Sequence, residues 1–136
     1  MRRLVIRTDG AARGNPGPAG AGWVIEDPDG TVVSDGCAYL GEATNNQAEY
    51  QALLRALEAV DPDADTEIEV FSDSELMVKQ LNGEYRVKNE GLKPLYVRAV
   101  RYLLRAGRSE VRHVRRGENE DADALANQAI DAYSEV

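Results

Sequence analysis

Between Leu4 and Asp9 the chain alternates, Leu4, Ile6 and Thr8 set against Val5, Arg7 and Asp9, which is the period-2 signature of a strand. Gly10–Gly22 is crowded with Gly, Pro and Ala and reads as a loop that leads into a second strand at Gly22–Glu26. Asp27-Pro28-Asp29-Gly30 is turn chemistry between two apolar runs, and Thr31–Leu40 supplies a third strand. These three strands predict an antiparallel meander. From Asn46 to Val60 the period changes, with Tyr50, Leu53, Leu54 and Leu57 at helical spacing until Asp61-Pro62-Asp63 stops the run. A short strand over Glu67–Ser72 follows, then a helix capped by Asp73 or Ser74 that ends near Asn82-Gly83. Leu92, Leu95, Tyr96, Ala99 and Leu103 mark a third helix, Glu110–Val114 a last strand, and Leu125, Ala126, Ala129, Ile130 and Tyr133 a C-terminal helix. A meander followed by β-α-β crossovers predicts an α/β protein with a mixed sheet and helices packed on its faces.

With 136 residues and no repeat or long linker, one domain covering residues 1–136 is expected. Apolar stretches such as Ala19–Ile25 are too short to span a bilayer. The first residues lack an apolar signal-peptide core, and Cys37 has no second cysteine to pair with. Both features predict a cytoplasmic protein without a membrane partner. Twenty-four acids against sixteen bases leave a net charge of −8, with only three lysines. By itself that balance argues against a polyanionic partner, which normally meets a basic footprint.

The acids nevertheless fall at telling places. Asp9 ends the first strand, Asp73 ends the fourth, Glu49 lies early in the first helix and Asp123 early in the last. If strands one and four are parallel neighbours, Asp9 and Asp73 emerge at the same sheet edge, the carboxyl edge where open α/β sheets bind ligands. Converging carboxylates repel unless protons or a hard cation neutralise them, and an all-oxygen set suits Mg²⁺ or Mn²⁺. An acid-rich chain also places acids at helix N-termini for the dipole alone, so spacing by itself leaves both readings open.

The segment Thr8-Asp9-Gly10-Ala11-Ala12-Arg13-Gly14-Asn15-Pro16-Gly17-Pro18-Ala19-Gly20 resembles the opening motif of type 1 ribonuclease H. Thr44-Asn45-Asn46-Gln47-Ala48-Glu49-Tyr50 resembles that family's T-N-N-x-x-E helix start, and Ser72-Asp73-Ser74 its D-S helix entry. Asn119-Glu120-Asp121-Ala122-Asp123-Ala124-Leu125-Ala126 is similar to its N-x-x-A-D-x-L-A signature. The four occur in order and span nearly the whole chain. The resemblance implies a ribonuclease H fold, with a five-stranded mixed sheet and helices on both faces. It implies an endonuclease that cuts the RNA strand of RNA–DNA hybrids, leaving 5′-phosphate and 3′-hydroxyl ends. Asp9, Glu49, Asp73 and Asp123 map onto the family's catalytic acids and would hold two Mg²⁺ ions, Mn²⁺ being a substitute; Asp9 would bridge them. Gly10, Asn15, Asn46 and Gln47 would read the 2′-hydroxyl, while Thr44, Asn45 and Asn89 resemble contacts to the DNA strand. Two alternatives are a nuclease of this fold that also cuts double-stranded RNA, and a hybrid-binding module without turnover. A monomer is expected.

The chain also departs from the pattern. Arg116 takes the place where several relatives carry a loop histidine and is expected to steady phosphate charge, since arginine cannot shuttle protons near neutrality. His113 falls in the last strand and is expected to be structural. Glu42 stands where many relatives place an arginine near the DNA phosphate. Gly83–Leu92 is too short for the basic handle of some bacterial members, and a short form without a hybrid-binding domain is expected.

Overall fold

A computed structural model describes residues 2–134. Strands β1 (Arg2–Ala12), β2 (Gly17–Glu26) and β3 (Val32–Ala43) form the meander. Helix α1 (Asn45–Val60), strand β4 (Thr66–Ser72), helices α2 (Glu75–Leu81) and α3 (Lys93–Arg105), strand β5 (Arg108–His113) and helix α4 (Glu120–Ser134) follow. The sheet runs β3-β2-β1-β4-β5. Its β3/β2 and β2/β1 pairs are antiparallel, its β1/β4 and β4/β5 pairs parallel, which is the expected mixed sheet. Among the described residues no helix is long and apolar enough to cross a membrane.

Leu53, Leu54 and Leu57 of α1 are fully buried against Ile6, Ile68 and Val70 of the central strands, and Met77, Ala99 and Leu103 close this layer from α2 and α3. Each such aliphatic side chain contributes roughly 1.5–3 kcal/mol by leaving water. Inside the layer the Tyr50 hydroxyl donates to Gln80 Oε1 at 2.6 Å, so α1 and α2 are also tied by a buried hydrogen bond.

The stretch Gly10–Gly22 is not a loop. β1 continues to Ala12, β2 begins at Gly17, and only residues 13–16 turn, closed by the Arg13 N–H to Pro18 carbonyl bond of 2.8 Å. The small residues mark close approach rather than a turn. A Cβ on Gly10 would run into the Ala48 backbone of α1, and one on Gly22 into the Ala122 carbonyl of α4. Gly10 pairs with Ala21, and Gly22 with Asp9, so Gly10 and Gly22 lie on opposite faces of the sheet. Helices therefore pack on both faces, α1 seated on Gly10 and α4 on Gly22. A 3₁₀ turn over Arg116–Glu118, unforeseen from the sequence, leads into α4.

Candidate active site

The parallel register pairs Thr8 with Ser72, so Asp9, still within β1, and Asp73, one residue past the end of β4, stand side by side. The cap of α2 is Ser74, whose hydroxyl accepts from the Met77 N–H at 3.3 Å. That leaves the Asp73 carboxylate free of capping. The third acid arrives from α1. Thr44 caps this helix through a box in which its hydroxyl accepts the Gln47 N–H at 3.1 Å and the Gln47 side-chain oxygen accepts the Thr44 N–H at 3.0 Å. One turn on, Glu49 reaches the sheet edge and its carboxylate accepts the Gly10 N–H, a contact that glycine's missing side chain permits. Asp9, Glu49 and Asp73 each offer a carboxylate oxygen, and these oxygens lie within 4.8 Å of one another. Asp123, in the first turn of α4, comes close enough to Asp9 to raise its carboxyl.

The electrostatics are those of acids held together without compensation. Burial pushes the Asp9 carboxyl up to about 10, helped by the charge of Glu49 and by hydrogen bonds that its protonated form donates to Asp123 and Asp73. Burial and the charge of Asp73 raise Glu49 to about 8, against the Gly10 N–H, which favours its ionised form. In the metal-free protein these groups therefore share protons near neutrality. A hard divalent cation fits the same place, because the donor set is all oxygen and the excess charge is negative.

The acids open onto a cleft of about 380 Å³ whose lining includes Asn45, Asn46, Ser74, His113, Arg115 and Arg116. Arg116 is 88% exposed, with Nε 3.9 Å from Asp73 Oδ2. Asn45 is not a cap. Its side-chain oxygen accepts the Ala12 N–H at 3.1 Å, while its own N–H donates to Asn15 Oδ1 at 3.0 Å, lacing the β1–β2 turn to α1. Thr44 and Gln47 are engaged in the cap, and Asn89 turns its side chain to the Gly91 N–H at 2.7 Å. Asn15, Thr44, Gln47 and Asn89 thus flank the cleft instead of lining it. His113 ends β5 as expected, but it is exposed and lines the cleft, so a packed structural role does not hold. The reason is its register: it pairs with Ser72, the last residue before Asp73. Exposed Glu42 lies on β3, outside the cleft lining.

Sequence reasoning missed Asn119, a buried side chain whose amide donates to the Thr8 carbonyl at 2.6 Å. Its place at the head of the last motif was the available signal. The uneven distribution of charge was also missed. Eleven of the sixteen bases but only three of the twenty-four acids lie between Lys79 and Arg116, so this segment carries +8 and the remainder −16. Within it Arg86, Lys88, Arg101 and Arg115 have no carboxylate partner among the described residues. The net charge of −8 therefore conceals a basic region adjoining the cleft at Arg115.

Residues 7–129 match the family model described as Reverse transcriptase-like. Ribonuclease HI of Halobacterium salinarum is 48% identical over 123 residues, which is 90% of this chain and 62% of that protein. Bifunctional protein Rv2228c of Mycobacterium tuberculosis is 41% identical over 134 residues, 98% of this chain and 37% of that protein. The chain thus spans less than two thirds of the length of these curated relatives. Among solved structures, that of LC11-RNase H1 in complex with RNA/DNA hybrid superposes with a TM-score of 0.91 at 45% identity, covering 96% of this chain and 98% of that one.

Proposed function

The chain belongs to the type 1 ribonuclease H family, and from that premise we propose that it is a divalent-metal-dependent endonuclease hydrolysing the RNA strand of RNA–DNA hybrids. The observation that carries this reading is the convergence of Asp9, Glu49 and Asp73 within 4.8 Å, with Asp123 close to Asp9, on an open cleft. The clustering of these acids supports turnover over a binding module without it.

Asp9, Glu49, Asp73 and Asp123 would hold the metal, in our reading two Mg²⁺ ions with Mn²⁺ as a substitute. Bound there, the cations supply the positive charge that lowers the pKa of the attacking water and neutralises the leaving oxygen. The chain's own part is positioning. The Gly10 N–H fixes the Glu49 carboxylate, Ser74 caps α2 so that Asp73 stays free, and the Asn15–Asn45 link steadies the rim. Gly10, Asn15, Asn46 and Gln47 are our candidates for reading the RNA 2′-hydroxyls, and Thr44, Asn45 and Asn89 for the DNA strand. Arg116, exposed beside Asp73, would steady phosphate charge as the bond breaks.

In the same reading residues 1–136 are one catalytic domain acting as a monomer, and the lone Cys37 fits a cytoplasmic location. A single gel tests the function, with labelled hybrid, DNA duplex and RNA duplex, each in Mg²⁺, Mn²⁺ or EDTA. We expect cleavage of the hybrid's RNA strand alone, abolished by EDTA. Cutting that survives EDTA, or that treats the RNA duplex equally, would overturn the reading.

A further inference from the structure

The acids of the cleft are carried by separate elements, and one buried side chain joins two of them next to the acids themselves. Asn119 is 1% exposed and donates its amide to the Thr8 carbonyl at 2.6 Å, one residue before Asp9. Its backbone carbonyl accepts the Asp123 N–H at 3.1 Å, and its own N–H donates to the Arg116 carbonyl at 3.0 Å. One residue thus joins β1 beside Asp9, the first turn of α4 and the 3₁₀ turn that carries Arg116. Asn119 Oδ1 and the Thr8 hydroxyl oxygen are both buried with no partner among the described residues. A side chain kept for packing alone would be better apolar, because burying an incompletely bonded amide is destabilising. The arrangement makes sense if the Asn119–Thr8 bond itself is what the site requires.

We propose that Asn119 is a positioning residue that sets Asp123 against Asp9 and thereby fixes the metal affinity of the site. The inference deepens the function proposed above and depends on it. Neither the Gly22 contact nor the helix dipole can replace the bond. The first lets α4 approach without fixing its position along the strand, and the second favours any acid in the first turn. Orienting partners behind metal-holding carboxylates commonly change metal affinity or activity by about 10–100-fold when removed.

The test compares wild type with Asn119→Leu, which keeps the volume and drops the bond, and with Asn119→Ala. Three measurements are made: Tm in EDTA, Mn²⁺ binding by calorimetry without nucleic acid, and hybrid cleavage against Mg²⁺ and hybrid concentration. We expect Asn119→Leu to stay folded with a Tm close to wild type. Its Mn²⁺ affinity and kcat should fall about tenfold or more, its KM for hybrid should stay within about twofold, and excess Mg²⁺ should recover part of the rate. A Tm loss with unchanged Mn²⁺ affinity and kcat would overturn the proposal, and so would unfolding of both variants, since Asn119 would then serve the core. If wild type binds Mn²⁺ but leaves the hybrid intact, the functional reading fails, while the calorimetry still decides the role of Asn119.

Discussion

The sheet that brings Asp9 and Asp73 to the cleft carries a second set of carboxylates on β4 and β5, and the two sets have opposite surroundings. At the cleft, Asp9, Glu49 and Asp73 face one another, and burial raises the pKa of Asp9 and Glu49. Along β1, β4 and β5, Glu67, Glu69 and Glu110 face arginines. Arg3 lies 3.0 Å from Glu67, Arg112 lies 2.6 Å from Glu110 and 3.9 Å from Glu69, and the Arg112 and Arg108 guanidinium groups hold Glu110 below the usual carboxylate range. The second set also lines the larger depression, an open trough of about 460 Å³. Yet its charges are already neutralised, so size does not identify the site. What separates a functional acid from a structural one here is the sign of its neighbours.

Neutralising one acid of the cleft tests this most severely. Asp9→Asn removes a charged ligand from the centre of the cluster. Hybrid cleavage should fall by at least about a thousandfold, or roughly 4 kcal/mol of barrier. The same change relieves repulsion in the metal-free protein, so its Tm in EDTA should rise. Near-normal turnover by a folded Asp9→Asn protein would sink the assignment of Asp9.

The two sets should also answer pH with opposite sign. Asp9 has a folded pKa far above its unfolded value of 3.8, so its contribution to stability is complete below that value and is lost as pH rises toward about 10. Glu49 adds a loss of the same sign between its ordinary value of 4.5 and about 8. Metal-free protein should therefore melt at lower temperature at pH 8 than at pH 5.5, and Mg²⁺ should narrow the gap while releasing protons. Melting curves in EDTA and in Mg²⁺ at both pH values check this, with Asp9→Asn as the flattened control. Equal pH dependence in wild type and variant would show that the cluster holds no shared protons.

Much of this was legible in the chain. The alternation at Leu4–Asp9 and the helical stripe Tyr50–Leu57 report burial directly, and both elements stand where they were expected. Asp73, Glu49 and Asp123 were legible because they sit just after a strand or early in a helix, whereas Asp9, read as the end of its strand, lies within β1, which runs on to Ala12. Gly10–Gly22 was misread because small residues permit both turns and close helix contacts, and only the tertiary partners Ala48 and Ala122 decide between them. That His113 faces the cleft and that Asn119 bonds β1 could not be read from spacing. Their positions follow from the parallel register at Ser72 and from a bond 111 residues long in sequence.

Arg116 belongs to neither set cleanly, and its removal sharpens the contrast. Its Nε stands 3.9 Å from Asp73, farther than a good hydrogen bond, and the side chain is 88% exposed. It should therefore matter little to the resting protein and more to phosphate during the reaction. Arg116→Ala is expected to lower the cleavage rate about tenfold, or roughly 1.4 kcal/mol of barrier, with Tm nearly unchanged. His113→Ala, at the cleft but outside the acid cluster, should change the rate less. The reverse ranking in a side-by-side rate measurement would transfer the phosphate role to His113.

The smallest effect belongs to the second set. Glu110 accepts from Arg108 at 3.0 Å and from Arg112 at 2.6 Å, so Glu110→Gln breaks two ion pairs at once. Both arginines are more than half exposed, at 70% and 58%, and water and salt already screen them. Because its folded pKa is lowered, Glu110 contributes stability that is present above its ordinary value of 4.5 and is lost as pH falls through the lowered one, the opposite of Asp9. Glu110→Gln should thus lower Tm at neutral pH by no more than about 3 °C in low salt, and by less in 1 M KCl, where the Debye length is about 3 Å. Below pH 4 the difference from wild type should shrink, since Glu110 is then losing its charge in wild type as well. Hybrid cleavage should not change, because the trough is separate from the cleft. A fall in cleavage that tracks the Glu110 substitution at constant Tm would mean that the paired acids of the second set do take part in function, and that neighbouring charge alone does not sort the two sets.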